Sequence, residues 1–92
     1  MEIDGTTIKV NYDSAPDGTQ GCLQRYLENH VPCGSFLTAV LSNDLKEACS
    51  TADDFNRHEL YNTVYWLYNN APASCWGSPE NVKAWLDRGR NT

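Results

Sequence analysis

The chain has 92 residues, with twelve Asp and Glu against seven Lys and Arg and a formal net charge of −5. A domain of this length buries only about 60–65% of its unfolded surface, so it holds one core with a thin stability margin. The charge balance argues against direct nucleic-acid binding, which needs Lys and Arg gathered on one face, whereas here they are scattered among acids.

No apolar run approaches the ~20 residues that cross a bilayer. The opening Met-Glu-Ile-Asp-Gly is acidic where a signal peptide would be basic, so the expectation is a cytosolic protein with no membrane contact. Acidity first serves solubility, and it also attracts a basic partner surface. Cys22, Cys33, Cys49 and Cys75 are an even number, which in a secreted protein would suggest two disulfides. Without a signal sequence the expected state is reduced thiols buried as small hydrophobes.

Residues 2–12 read as a β segment in which Ile8, Val10 and Tyr12 alternate with polar residues, with a turn at Asp4-Gly5. A ribbon this small must pack on helices or pair with another chain. Asp13 to Gly18 is a turn, and Asp17 is expected to cap a first helix running from about Thr19 to His30, with Leu23, Tyr26 and Leu27 inward. Pro32 and Gly34 end it.

Ser35 is expected to cap a second helix from Phe36 to about Cys49, with Val40, Leu41, Leu45 and Ala48 inward. Within it, Asn43-Asp44 breaks a local rule, because both side chains compete for backbone groups in a helix interior. Thr51 followed by Asp54 resembles a capping box and opens a third helix through about Asn69. Ala71 to Gly77 is a loop carrying Cys75 and Trp76. Ser78-Pro79-Glu80 starts a last helix with Val82, Trp85 and Leu86 inward and Arg88 and Arg90 at its negative end.

The third helix is the most informative element. Leu60, Val64 and Leu67 share one side, and Tyr61, Tyr65 and Tyr68 form an adjoining stripe. One small domain has one core to fill, so the second stripe must be covered by another element, a second copy of the chain or a partner.

Four stretches together, Gln24-Arg25-Tyr26-Leu27-Glu28, Pro32-Cys33-Gly34-Ser35-Phe36-Leu37-Thr38-Ala39-Val40-Leu41-Ser42-Asn43-Asp44-Leu45, Ala52-Asp53-Asp54-Phe55-Asn56 and Ala71-Pro72-Ala73-Ser74-Cys75-Trp76-Gly77-Ser78, carry a resemblance to a family of short bacteriophage and prophage proteins. It covers about residues 23–87. Members generally have Gly where Cys33 stands. The resemblance implies a setting, the cytoplasm of an infected or lysogenic bacterium, and a counter-defence role of the kind small accessory phage proteins often have.

Several constellations compete with plain structural readings. His30-x-x-Cys33 offers two zinc ligands, with Cys49 and Cys75 to complete a tetrahedron, but this is half a signature, and buried thiols with a surface histidine are the preferred reading. Cys75 or Cys33 with His30 or His58 makes a nominal nucleophile and base, yet no nucleophile elbow, phosphate loop or dinucleotide motif singles one out. The Ser35 helix start, Arg57 and a stacking ring such as Tyr65 or Trp76 together suit an anion or nucleotide; alternatively Ser35 merely caps and Arg57 pairs with Asp53 or Asp54. Trp76 either folds back on the third-helix aromatics or anchors a partner.

The expected fold is therefore mainly α, four short helices in a compact bundle with a small N-terminal β ribbon (α+β), in a single domain 1–92 with the ribbon at 1–13 and the helical core at 19–88. The expected function is non-enzymatic: stoichiometric inhibition of a bacterial host defence protein through Ser35, Asn43, Asp44, Arg57, Tyr61, Tyr65, Tyr68 and Trp76, with Asp44, Asp53, Asp54 and Glu59 ringing the tyrosines. No cofactor or metal is expected, and a homo-oligomer is. The alternatives are a sponge for a nucleotide-derived immune signal (a cyclic dinucleotide or ADP-ribose derivative), a hydrolase of such a signal, and a virion or regulatory accessory protein.

Overall fold

Asp4 and Gly5, at φ 51° and 82°, supply the left-handed pair that a two-residue hairpin turn needs. Strand β1 (Glu2–Ile3) pairs antiparallel with β2 (Thr6–Thr7), Glu2 opposite Thr7 and Ile3 opposite Thr6. The computed structural model describes residues 1–90, and for Arg90 only the backbone, so the expected place of the Arg90 side chain lies outside the described residues. The ribbon is shorter than the sequence suggests. Ile8 still pairs, exchanging hydrogen bonds with Met1 at 2.7 Å in each direction, whereas Val10 and Tyr12 lie beyond the ladder, partly buried against the core, so the alternation there marks a packed side without strand pairing. Tyr12–Ser14 forms a 3-10 turn, and the Trp66 indole N–H donates to both the Asn11 carbonyl and the Ser14 hydroxyl at 3.0 Å.

Among the described residues five helices follow: α1 (Gln20–Asn29), α2 (Ser35–Leu41), α3 (Leu45–Thr51), α4 (Asp54–Asn70) and α5 (Pro79–Arg90). The class is mainly helical with a two-stranded sheet, and the count is five helices where four were expected. The extra one arises because the predicted helix 36–49 breaks at Asn43, which sits in the left-handed region at φ 60°. Asp44 then accepts a hydrogen bond from the Glu47 backbone N–H at 3.1 Å and caps α3. The rule-breaking pair is a helix stop followed by a helix start.

Three other caps also differ. The residue before α1 is Thr19, whose hydroxyl donates to the Pro16 carbonyl at 2.6 Å, and Asp17 is not the cap. Gly34 holds the cap position of α2, and Ser35 is its first residue. Thr51 ends α3, donating to the Glu47 carbonyl, while Asp53 caps α4 by accepting from the Asn56 N–H at 2.8 Å. A carboxylate accepts that bond better than a hydroxyl two residues upstream. Ser78 caps α5 as expected, accepting from the Asn81 N–H at 3.1 Å.

The core gathers Leu23, Tyr26 and Leu27 of α1, Leu37 and Leu41 of α2, Leu67 of α4 and Trp85 of α5, all buried. Its polar handles are satisfied inside: the Tyr26 hydroxyl donates to the Cys75 carbonyl at 2.6 Å, and the Trp85 indole donates to the Tyr26 carbonyl at 2.8 Å. Leu45 and Val64, expected inside, are 66% and 38% exposed, and Leu60 and Leu86 are half-buried. The break at Asn43 turns Leu45 out to solvent, and α4 buries Leu67 as expected but pairs it with Thr63 and Trp66 in place of Leu60 and Val64. Thr63 tolerates complete burial because its hydroxyl donates to the Glu59 carbonyl at 2.9 Å. The Cα radius of gyration, 12.4 Å, matches the ~12 Å expected for one compact domain of this length. Among the described residues no helix is long and apolar enough to cross a membrane.

Candidate functional site

Helix α4 is the longest element, and its two sides have different fates. At 100° per residue, Tyr61, Tyr65 and Tyr68 fall roughly opposite Thr63 and Leu67. They are 75%, 59% and 80% exposed, and the Tyr61 and Tyr65 rings stack with centroids 6.1 Å apart and planes 18° from parallel. A ring-bearing side chain carries 150–250 Å² when fully exposed, so the three present on the order of 400 Å². That is the size at which the largest apolar patch of a monomer is often functional.

The flanks extend this face. At its C-terminal end, Tyr68 shares an open groove of about 410 Å³ with Trp76, Ala71, Ala73 and Gly77. Trp76 is half-buried against the core, so the loop folds back and still leaves part of the indole beside Tyr68. On the α3 side, Asn43 and Asp44 line a shallow depression of about 40 Å³ with Leu45, Leu60 and Val64. The exposed leucine and valine thus continue the apolar surface toward the corner that Asn43 makes. Asp54, exposed, stands two turns before Tyr61 at the head of the stripe, and Asp53 spends a carboxylate oxygen on its cap.

Of the other expected site residues, Arg57 lies one turn before Tyr61 on this face, and Ser35 stands apart. Arg57 is exposed and holds Asp54 through Nη1 to Oδ1 at 3.1 Å. At these exposures the pair contributes little to stability. Ser35 lines a groove of about 450 Å³ with Cys33, Thr38, Ser42, Asp44 and Glu47, and a second of about 240 Å³ with Gly18, Gly34 and Asn56. Neither groove holds Arg57 or a tyrosine.

One cleft was not anticipated. About 310 Å³ in volume, it lies between α4 and the turn after β2 and is lined by Ser14, Pro16, Glu59, Asn62, Tyr65, Trp66, Asn69 and Asn70. Glu59, Asn62, Trp66 and Asn69 are spaced three, four and three apart, a helical stripe legible in the sequence. Its far wall comes from the loop that Trp66 ties down, for which the sequence carries no signal.

Of the four thiols expected to be buried, Cys75 is, Cys22 and Cys33 are half-buried and Cys49 is exposed, while His30, expected at the surface, is half-buried. The His30 Nδ1 lies 2.8 Å from the Trp85 carbonyl, and its ring packs on Trp85 with centroids 4.4 Å apart. Cys33 directs its thiol at the Cys22 carbonyl, Cys75 is buried and Cys49 is exposed; all four are free. Burial pushes the Cys33 thiol up to about 12 and the Cys75 thiol up to about 11, so both stay protonated at neutral pH, the opposite of what an activated nucleophile needs. Among the described residues no three His, Cys, Asp or Glu side chains are grouped to hold a metal ion. No family model, curated protein or solved structure matches this chain.

Proposed function

We propose that the chain is a binding protein that works by stoichiometric occupation of a protein partner, with the outer face of α4 as its contact surface. The observation that carries this reading is the exposure of Tyr61, Tyr65 and Tyr68 on the side of the helix that the core leaves uncovered. Tyrosine supplies large, stiff contact area with a polar tip, which is why it recurs at interface hot spots. A net charge of −5 favours a partner surface rich in Lys and Arg, with long-range attraction speeding encounter.

The biological setting, a phage protein that blocks a bacterial defence component, rests on the sequence resemblance across residues 23–87. A sponge for a nucleotide signal is the less favoured reading, because it asks Ser35, Arg57 and a ring to converge, and the grooves described here keep Ser35 apart from the others. The test is capture from lysate of phage-infected bacteria by the tagged protein, with Tyr61→Ala and Tyr68→Ala alongside Lys83→Ala as a control. The expected result is a protein recovered at fixed stoichiometry by the wild type and the control and lost with both tyrosine variants. Thermal stabilisation by cyclic dinucleotides or ADP-ribose derivatives, with no protein retained, would instead support the sponge. Sedimentation of the pure protein asks whether a second copy covers the same face.

A further inference from the structure

We propose that the cleft between α4 and the Tyr12–Ser14 turn is a receptor for the guanidinium group of an arginine side chain on the partner. The proposal rests on the binding reading above and names the chemistry of what is bound. Its basis is the hydrogen-bond state of the groups around the cleft. The Asn69 Nδ2 donates to the Tyr65 carbonyl at 2.8 Å, the Asn70 Nδ2 to the Trp66 carbonyl at 3.0 Å, and the Asn62 Nδ2 to Glu59 Oε2 at 2.9 Å. Each of these partners can only accept, which fixes the amide nitrogens on that side, and no described residue donates to the three Oδ1 atoms, which are left to water or a ligand. Ser14 is already committed, donating to the Asn11 carbonyl and accepting from the Trp66 indole.

Glu59 decides the sign of the ligand. It lines the cleft half-buried, and no Lys, Arg or His among the described residues pairs with it. The cleft therefore combines one uncompensated carboxylate, three idle amide oxygens and the Tyr65 ring with the Trp66 indole beside it. An anion is repelled, and a neutral polyol leaves the charge unanswered. A guanidinium answers every feature: five N–H donors and no acceptor, a permanent positive charge, and a flat face that lies on an aromatic ring. An ammonium matches the charge without the fork or the flat face.

The experiment uses the ¹⁵N-labelled full chain and three end-blocked hexapeptides identical except for one central arginine, lysine or citrulline. The reporters are the side-chain amide signals of Asn62, Asn69 and Asn70 and the indole signal of Trp66. Saturable shifts are expected with the arginine peptide, at least tenfold weaker binding with lysine, and none with citrulline, which keeps the shape and loses the charge. Glu59→Gln should weaken the arginine peptide at least tenfold while the unfolding midpoint stays in place, since glutamine still accepts from Asn62. Equal response to citrulline, arginine binding retained in Glu59→Gln, or no shift at these signals overturns the receptor. Tyr61→Ala separates the two readings: loss of partner capture there, with no arginine response in the wild type, leaves the contact face standing and removes the receptor. An arginine response with full partner capture by Tyr61→Ala and Tyr68→Ala does the reverse.

Discussion

Tyr26 and Tyr65 are the same residue type on successive long helices, and they are used in opposite ways. At the seam of α1 and α5, Tyr26 is 1% exposed, its hydroxyl is spent on the Cys75 carbonyl, and the Trp85 indole closes on the Tyr26 carbonyl from the other side. His30 continues the seam by packing on the Trp85 ring, whose other neighbour is Arg88, its guanidinium carbon 5.1 Å from the ring centroid. On the outer face of α4, Tyr65 is 59% exposed, stacks on Tyr61, and borders a cleft lined by amide side chains. A ring whose polar atom is paired inside contributes stability, whereas a ring left facing water with a cavity beside it adds little stability and is free to meet another surface.

That contrast is open to breakage, beginning with the seam. Trp85→Ala removes the largest fully buried side chain and its hydrogen bond to Tyr26, and should destabilise by about 3–5 kcal/mol, read as a lower midpoint in urea. Tyr26→Phe keeps the ring and strands the Cys75 carbonyl, so a loss of about 1–3 kcal/mol is expected by the same measurement. If it proved silent, the seam would owe its stability to packing alone.

Asp44→Ala deletes the cap that starts α3 beside the apolar flank of α4 and should cost about 1 kcal/mol in thermal unfolding. Asn43→Gly at the same corner should be neutral or slightly stabilising, because glycine enters the left-handed region freely. Alkaline titration probes the buried side again. Cys33 and Cys75 hold their protons up to about 12 and 11 when folded but release them near 9 when unfolded, so the unfolded state binds fewer protons above pH 9. Stability should therefore be flat in these groups below pH 9 and fall progressively from pH 9 to about 12, the Cys75 share ending near 11, and Cys33→Ala should flatten part of that slope. The smallest effect belongs to the open face: Tyr68→Ala should move stability by no more than about 0.5 kcal/mol while abolishing partner capture. A large destabilisation there would show that the ring is structural after all.

Much of this arrangement was legible in the chain, for identifiable reasons. The Asp4-Gly5 turn, the α1 face of Leu23, Tyr26 and Leu27, the Ser78-Pro79-Glu80 start of α5 and the tyrosine stripe are all set within a few residues, by propensity, capping or periodicity. Asn43-Asp44 was visible as a broken rule, yet its resolution into a stop and a start depended on how α3 packs. On α4 periodicity places Leu67 inward correctly but not its companions, which are set by the bonds of Trp66 to Asn11 and Ser14. Leu60, Val64 and Leu67 look more apolar than Thr63, Trp66 and Leu67, and periodicity ranks them first.

What the sequence by itself determined is local: where helices begin, which residues share a stripe, and that α4 carries more ring-bearing surface than one side can bury. Only the tertiary structure decided which stripe was buried, because Trp66 reaches the Asn11 and Ser14 oxygens and Thr63 bonds to its own helix, so the inward side is chosen by partners far along the chain. The same long-range tie builds the second wall of the Glu59 cleft. No local pattern encodes a cavity whose two sides are brought together by a single indole.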